Sequence, residues 1–107
     1  RRAPAEAARR LEGFLEKYPA AREARMTYAR VLAADKRLPE ARAEFEKIIA
    51  RNPKDTDAIY AVGLLALQVK DYPVAEANMK RLLDLGYRDP NGVRYTLGQI
   101  AEERKDW

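Results

Sequence analysis

Tyrosine, lysine and carboxylate side chains are the groups that could carry chemistry in this sequence, because it contains no cysteine, histidine or serine. The missing types supply most nucleophiles, most proton carriers near neutral pH and most zinc ligands in proteins. Carboxylates, lysine and tyrosine could still carry acid–base work. We therefore predict a protein that is not an enzyme and that holds neither a cofactor nor a metal.

Charge is the second property that could attract a ligand, since 21 basic and 17 acidic residues give a formal net charge of +4. The two signs are interleaved, as in residues 42–47, which is typical of solvated helix faces. RNA binding is an alternative hypothesis that this charge and six tyrosines suggest. However, Glu23, Asp57 and Glu102 would repel phosphate, so the sequence favours a protein partner over nucleic acid.

An apolar pattern that recurs every 34 residues must position these side chains. In each copy a small residue is followed by apolar residues four, seven and eight positions later, a spacing that lies on one face of an α-helix. The copies are Ala7, Leu11, Phe14, Leu15; Ala41, Phe45, Ile48, Ile49; and Ala75, Met79, Leu82, Leu83. A second set, shifted by 34 and 35 residues, comprises Tyr28, Ala29, Leu32; Val62, Gly63, Ala66; and Leu97, Gly98, Ala101.

Proline, glycine and aspartate indicate where these helices begin and end. Asp89 and Pro90 predict a cap and a first turn, and Gly86 predicts a left-handed helix end. Gly63 and Gly98 lie inside helices, where glycine is unfavourable, so we expect a neighbouring backbone to approach both closely. The predicted all-α fold has six helices, each antiparallel to the next: 4–17, 22–35, 39–51, 56–69, 73–85 and 91–105.

These residues resemble the tetratricopeptide repeat, a 34-residue pair of helices A and B. The matching residues are Ala29, Ala41, Phe45 and Pro53 in one copy, and Gly63, Tyr72 and Ala75 in the next. The family's tryptophan in helix A is replaced by Arg25, Ile59 and Arg94, and its second alanine in helix B by Phe14, Ile48 and Leu82. The resemblance implies a right-handed α-solenoid over residues 1–107 that acts as a scaffold or adaptor for another protein.

The register of the resemblance implies an unpaired helix B at 4–17, repeats at 22–53 and 56–87, and an unpaired helix A at 91–105. We expect a piece of a longer bacterial protein, from the periplasm or envelope or from the cytoplasm, with the periplasm slightly favoured. Apolar side chains of the unpaired helices should be partly uncovered: Leu11, Phe14, Leu97, Ile100 and Trp107. They would let molecules associate head to tail, and the alternative is that they simply face solvent.

The resemblance also implies a concave groove, lined by helices A, that binds a peptide or a helix of the partner. The transferred positions are Glu23, Met26, Thr27, Arg30, Asp57, Tyr60, Leu64, Tyr95, Gln99 and Glu102. Their apolar members favour an apolar or helical ligand, although Tyr60 and Tyr95 would alternatively pack against neighbouring helices. The carboxylate clamp of chaperone adaptors is not expected. The residues at its positions are Met26, Arg30, Asp57 and Ala61.

Overall fold

The computed structural model describes residues 2–105, which form six α-helices and no strand. The helices are α1 (Arg2–Lys17), α2 (Arg22–Ala34), α3 (Leu38–Arg51), α4 (Thr56–Gln68), α5 (Tyr72–Asp84) and α6 (Pro90–Arg104). The predicted all-α fold is confirmed, and every predicted boundary lies within two residues of the observed one. Short-range sequence signals therefore determine where each helix lies.

Two aspartates cap the first turns of α4 and α6. The Asp55 carboxylate accepts a hydrogen bond of 3.2 Å from the backbone N–H of Ala58 at the start of α4. The Asp89 carboxylate accepts one of 3.0 Å from the N–H of Gly92 in α6. Each bond satisfies a backbone donor that has no partner inside its helix. The cap predicted at Asp89 is confirmed.

Three helices end in the same left-handed turn. Gly86 has a φ of 72°, as predicted, and the N–H of Tyr87 donates to the carbonyl of Leu82 at 3.0 Å. Lys36 and Lys70, which are 34 residues apart, adopt the same conformation with φ values of 65° and 64°. The turn provides hydrogen-bond donors for carbonyls at the helix end. Because it recurs at Lys36 and Lys70, the 34-residue repeat is present in the backbone conformation as well as in the sequence.

The helices form two compact units, residues 1–53 and 54–107. In unit 1, α2 packs against both α1 and α3, and in unit 2, α5 packs against both α4 and α6. The apolar core of unit 1 comprises Ala8, Leu15, Met26, Ala29, Leu32, Ala41, Phe45 and Ile48. That of unit 2 comprises Ala58, Ile59, Val62, Leu65, Ala66, Ala75, Met79, Leu82, Val93 and Ile100. The predicted small residues of α3 and α5, Ala41 and Ala75, are fully buried in these cores.

Gly63 confirms the expectation of close helix packing, whereas Gly98 contradicts it. A Cβ added at Gly63 would lie 2.5 Å from Cε of Met79 and 3.3 Å from Cβ of Asn78, both in α5. A Cβ at Gly98 would meet no heavy atom of the described residues within 4 Å. The prediction used only the repeat position, which the two glycines share. In the described residues, side chains of α5 pack over Gly63 of α4, and nothing packs over Gly98 of α6.

Alanine at the two glycines is expected to change stability in opposite directions. Gly98→Ala should raise the free energy of unfolding by about 0.5–1 kcal/mol, because alanine favours helix and the site is open. Gly63→Ala should lower it by about 1–3 kcal/mol, because the added methyl group would overlap Cε of the fully buried Met79 and press on Cβ of Asn78, so that packed core side chains must leave their preferred rotamers. Urea denaturation followed by circular dichroism measures both. Equal shifts in the same direction would contradict this account of the packing.

Candidate functional site

One side of α4 carries three of the predicted binding residues. Asp57, Tyr60 and Leu64 are spaced by three and four residues, so they share a helix face. Asp57 and Tyr60 are half-buried, and 39% of Leu64 is exposed. The opposite side of α4 is anchored by core residues such as Ile59 and Val62. The helix therefore presents an aromatic and an aliphatic side chain at the surface of unit 2.

The turn between α5 and α6 lies against this face of α4. The ring of Tyr87 stacks on that of Tyr60, with centroids 5.6 Å apart and planes inclined by 22°. The guanidinium carbon of Arg88 lies 5.1 Å from the centroid of Tyr87, and its Nη1 donates to Oδ1 of Asp57 at 3.1 Å. Burial raises the pKa of the Tyr87 phenol, an effect that Arg88 partly opposes, so this phenol stays protonated at neutral pH.

Tyr87 and Arg88 were not among the predicted binding residues. The sequence signal that accompanies them is the single extra residue near Gly86, which lengthens the repeat from 34 to 35 residues. The left-handed turn at Gly86 directs the chain toward α4, where both side chains meet Tyr60 and Asp57. A stack between residues 27 positions apart in sequence depends on tertiary packing, which no local pattern specifies.

On α6, Tyr95 is the most exposed large apolar side chain of the described residues, at 72%. It is the repeat counterpart of Tyr60, but Tyr60 is half-buried under Tyr87. Gln99 and Glu102, the other predicted residues of this helix, are also exposed. The buried side of α6 consists of Val93, Thr96 and Ile100. Two equivalent tyrosines are thus in different environments, one stacked and one in solvent.

The exposed predicted binding residues of unit 1 are all polar, whereas unit 2 also exposes Leu64 and Tyr95. Glu23, Thr27 and Arg30 are exposed on α2, where Thr27 donates to the carbonyl of Glu23 at 3.0 Å. The prediction for Met26 was wrong, because only 2% of this residue is exposed. Met26 lies three and six residues before Ala29 and Leu32, a spacing that places it on the buried side of α2.

A family model, the Tetratricopeptide repeat, matches residues 1–67, which include α1 to α3 and all but the last residue of α4. The chain belongs to the tetratricopeptide repeat family. No curated protein matches the chain significantly. Tetratricopeptide repeats generally mediate protein–protein interactions and are typically not catalytic. Membership of the family makes a protein ligand the relevant class for the surfaces described above.

Three of the side chains predicted to be partly uncovered in this tetratricopeptide repeat protein have that exposure. Phe14 is 46% exposed and stacks on Tyr18 with ring centroids 4.8 Å apart. Leu11 and Leu97 are half-buried. Ile100 was predicted wrongly, since only 1% is exposed on the side of α6 that also carries Val93. The remaining residue of this prediction, Trp107, lies outside the described residues.

A depression of about 230 Å³ lies on unit 1 of this tetratricopeptide repeat protein, away from the predicted binding residues. It is lined by Glu12, Leu15, Glu16, Arg25, Tyr28, Glu44 and Lys47. Glu44 pairs with Arg25 at 2.6 Å and with Lys47 at 2.9 Å, so neighbouring side chains already neutralise its charge. Burial, reinforced by nearby Glu12 and Glu44, raises the pKa of Tyr28. The ion pairs of Glu44 therefore compensate its charge at this side of the depression.

Residues 2–105 contain no group of three or more side chains that would hold a metal ion. In the same range, none of the helices has the length and apolar character that crossing a membrane requires. The surface of α4, α6 and the turn before α6 is therefore the candidate site that the geometry supports best.

Proposed function

We propose that this protein binds an apolar segment of a partner protein through unit 2, on the surface lined by Tyr60, Leu64, Tyr87, Arg88 and Tyr95. We call this surface the tyrosine face. We also infer a repeat register in which residues 22–53 and 56–87 are whole repeats and α1 and α6 belong to incomplete ones. The packing of α2 with α3 and of α4 with α5 supports this register.

The observation that carries the proposal is the exposure of Tyr95 and Leu64. Tyr95 is 72% exposed, whereas its repeat counterpart in unit 1, Met26, is buried; Leu64 is 39% exposed at the repeat position of the charged Arg30. Aromatic residues are enriched at protein interfaces because a flat apolar ring with a polar tip buries a large area and can still donate a hydrogen bond. An exposed tyrosine in the same unit as an ordered aromatic stack is suited to anchoring a ligand.

The stack of Tyr60 and Tyr87 favours a preformed site. Arg88 lies over Tyr87 and is held by Asp57, so four side chains fix one another in place before any ligand binds. Fixing side chains in advance lowers the entropy lost on binding. The Arg88 and Asp57 charges compensate each other at the edge, which leaves apolar contact as the main attraction. The ligand should therefore present apolar anchor residues rather than a cluster of charge.

Selection from a random peptide library tests this proposal. The biotinylated chain would be screened against phage-displayed 16-residue peptides, and the affinity of enriched peptides measured by isothermal titration calorimetry. We expect the Leu64→Ala, Tyr95→Ala double variant to bind them at least about tenfold more weakly, because central anchor residues carry most of the energy of an interface. Enriched sequences should contain aromatic or aliphatic anchors.

Tyr18 supplies a matched control, because it is an exposed tyrosine of unit 1 outside the tyrosine face. Tyr18→Ala should leave peptide affinity unchanged, and circular dichroism should show the same helix content for all variants. Equal weakening by Tyr18→Ala, or a failure to enrich any peptide, would contradict the proposal.

A further inference from the structure

The first turn of α6 contains an asparagine that is followed by glycine, Asn91 and Gly92. Asparagine loses ammonia when the backbone nitrogen of the next residue attacks its side-chain carbonyl carbon, which makes it one of the thermolabile residues of proteins. Glycine in the next position favours this attack, because it has no Cβ to shield its nitrogen. Asn91 is exposed, so water reaches the group. The pair therefore has the chemistry of a deamidation site.

The other two asparagines of the chain, Asn52 and Asn78, are poorly suited to the same reaction. Asn52 precedes Pro53, whose nitrogen carries no hydrogen and cannot attack by this route. Asn78 precedes the larger Met79 within α5, and its side-chain amide donates to the carbonyl of Ile59 at 3.1 Å. These two residues serve as internal references for the reactivity of the third.

The intact first turn of α6 opposes deamidation in two ways. The N–H of Gly92 donates to Oδ1 of Asp89 at 3.0 Å, and this nitrogen must lose its proton to attack. The negative charge of the Asp89 carboxylate disfavours that loss. In addition, ring closure requires rotation about the Cα–C bond of Asn91, out of the ψ range of a helix. The reaction therefore depends on opening of the turn.

The cap at Asp89 also explains why a glycine follows Asn91. A Cβ placed on Gly92 would collide with the carboxylate of Asp89, so a larger residue would displace this carboxylate from its capping position. The missing Cβ is also what leaves the Gly92 nitrogen unshielded. The residue that makes the cap possible thus makes Asn91 reactive whenever the cap opens.

We propose that Asn91 is a site of spontaneous deamidation whose rate is controlled by the Asp89 cap. When the turn opens, the Gly92 nitrogen bonds to Cγ of Asn91, the Cγ–Nδ2 bond breaks, and ammonia leaves with the proton that Gly92 loses. Water then opens the cyclic imide at either carbonyl carbon, which gives aspartate or isoaspartate. No electron is transferred, and water is the only co-reactant. The isoaspartate product inserts Cβ into the main chain, which displaces the Gly92 N–H from Asp89.

Peptide mapping by mass spectrometry measures the rate at each asparagine, from the mass difference between an amide and a carboxyl group. The full chain is incubated at mildly alkaline pH, once folded and once unfolded in guanidinium chloride. We expect Asn91 to react at least roughly tenfold faster in the unfolded chain, because the folded chain exposes the reactive geometry only when the turn opens locally. Equal rates in the two states, or reaction at Asn78 as fast as at Asn91, would overturn the proposal.

Aspartate variants separate the cap from a general loss of stability. Asp89→Ala should raise the rate at Asn91 in the folded chain roughly fivefold, because an uncapped first turn opens more often. Asp89→Asn should keep the rate low, because its amide oxygen also caps, and Pro90 prevents the new amide from reacting. Asp55→Ala removes the equivalent cap from α4 and should leave the rate at Asn91 unchanged.

Two measurements complete the comparison. Circular dichroism should show that each variant is folded under the conditions of incubation. The rate of each variant is divided by its own rate in guanidinium chloride, which corrects for the charge that Asp89→Ala removes. Equal acceleration by Asp55→Ala and Asp89→Ala would overturn the role of the cap, since it would trace the reaction to global unfolding.

Discussion

Phe45→Ala is expected to lower the free energy of unfolding by about 3–5 kcal/mol, which would be a large share of the stability of a small domain. Phe45 is 3% exposed and lies in the core of unit 1. Truncating a buried ring removes its transfer free energy and also leaves a cavity, because the close-packed surroundings relax only in part. Urea denaturation followed by circular dichroism measures the loss.

The repeat provides a matched control for this prediction. Leu11 occupies the position of Phe45 in α1 but is only half-buried. Leu11→Ala should lower the free energy of unfolding by about 1 kcal/mol, since part of the side chain already contacts water. Met79 holds the same position in α5 and is fully buried, so Met79→Ala should resemble Phe45→Ala rather than Leu11→Ala. Equal losses at Leu11 and Phe45 would contradict the assignment of α1 as an incompletely covered helix.

The nearly buried ion pair between Arg25 and Glu44 gives the second large effect. Arg25→Gln or Glu44→Gln is expected to lower the free energy of unfolding by about 2–4 kcal/mol, because each leaves one charge without its partner in a dry environment. The remaining bonds, from Arg25 to the carbonyl of Pro19 and from Lys47 to Glu44, compensate only in part.

A double-mutant cycle isolates the energy of this pair. The combined Arg25→Gln, Glu44→Gln variant should lose less than the sum of the single variants, with a coupling of about 0.5–3 kcal/mol. The exposed pair of Arg37 and Glu40 serves as the comparison. There the Arg37 guanidinium hydrogen-bonds the carboxyl and lowers the pKa of Glu40, but solvent screens the attraction. Strictly additive losses at Arg25 and Glu44 would contradict a direct interaction.

The helices and their ends could be predicted from the sequence because they depend on interactions within a few residues. Spacings of three and four residues define the apolar face of each helix. Asp89 supplies an acceptor to the first turn of α6, and Gly86 adopts a left-handed backbone without strain from a Cβ. The 34-residue repeat adds a long-range constraint, because equivalent positions recur in equivalent helices.

The errors in the prediction concern side chains at equivalent positions with different neighbours. Met26 and Ile100 were assigned to the surface but are buried. Helix spacing gives the direction of the buried face, but the number of residues on either side that neighbouring helices cover depends on the tertiary packing. Tyr60 and Tyr95 share one repeat position, yet only Tyr60 is stacked, because Tyr87 reaches it across the turn before α6. Such contacts join residues far apart in sequence.

The sequence by itself thus determined six helices, the cap at Asp89, the left-handed end at Gly86, the repeat and the family, because each follows from local spacing or from similarity between copies. Only the tertiary structure decided which copies of the repeated face are covered. Met79 packs over Gly63, whereas no heavy atom of residues 2–105 lies within 4 Å of a Cβ placed at Gly98, although the two glycines hold the same position in the repeat. The physical reason is that burial depends on the helix that lies opposite, and a residue's own position in the repeat does not specify whether that helix is present.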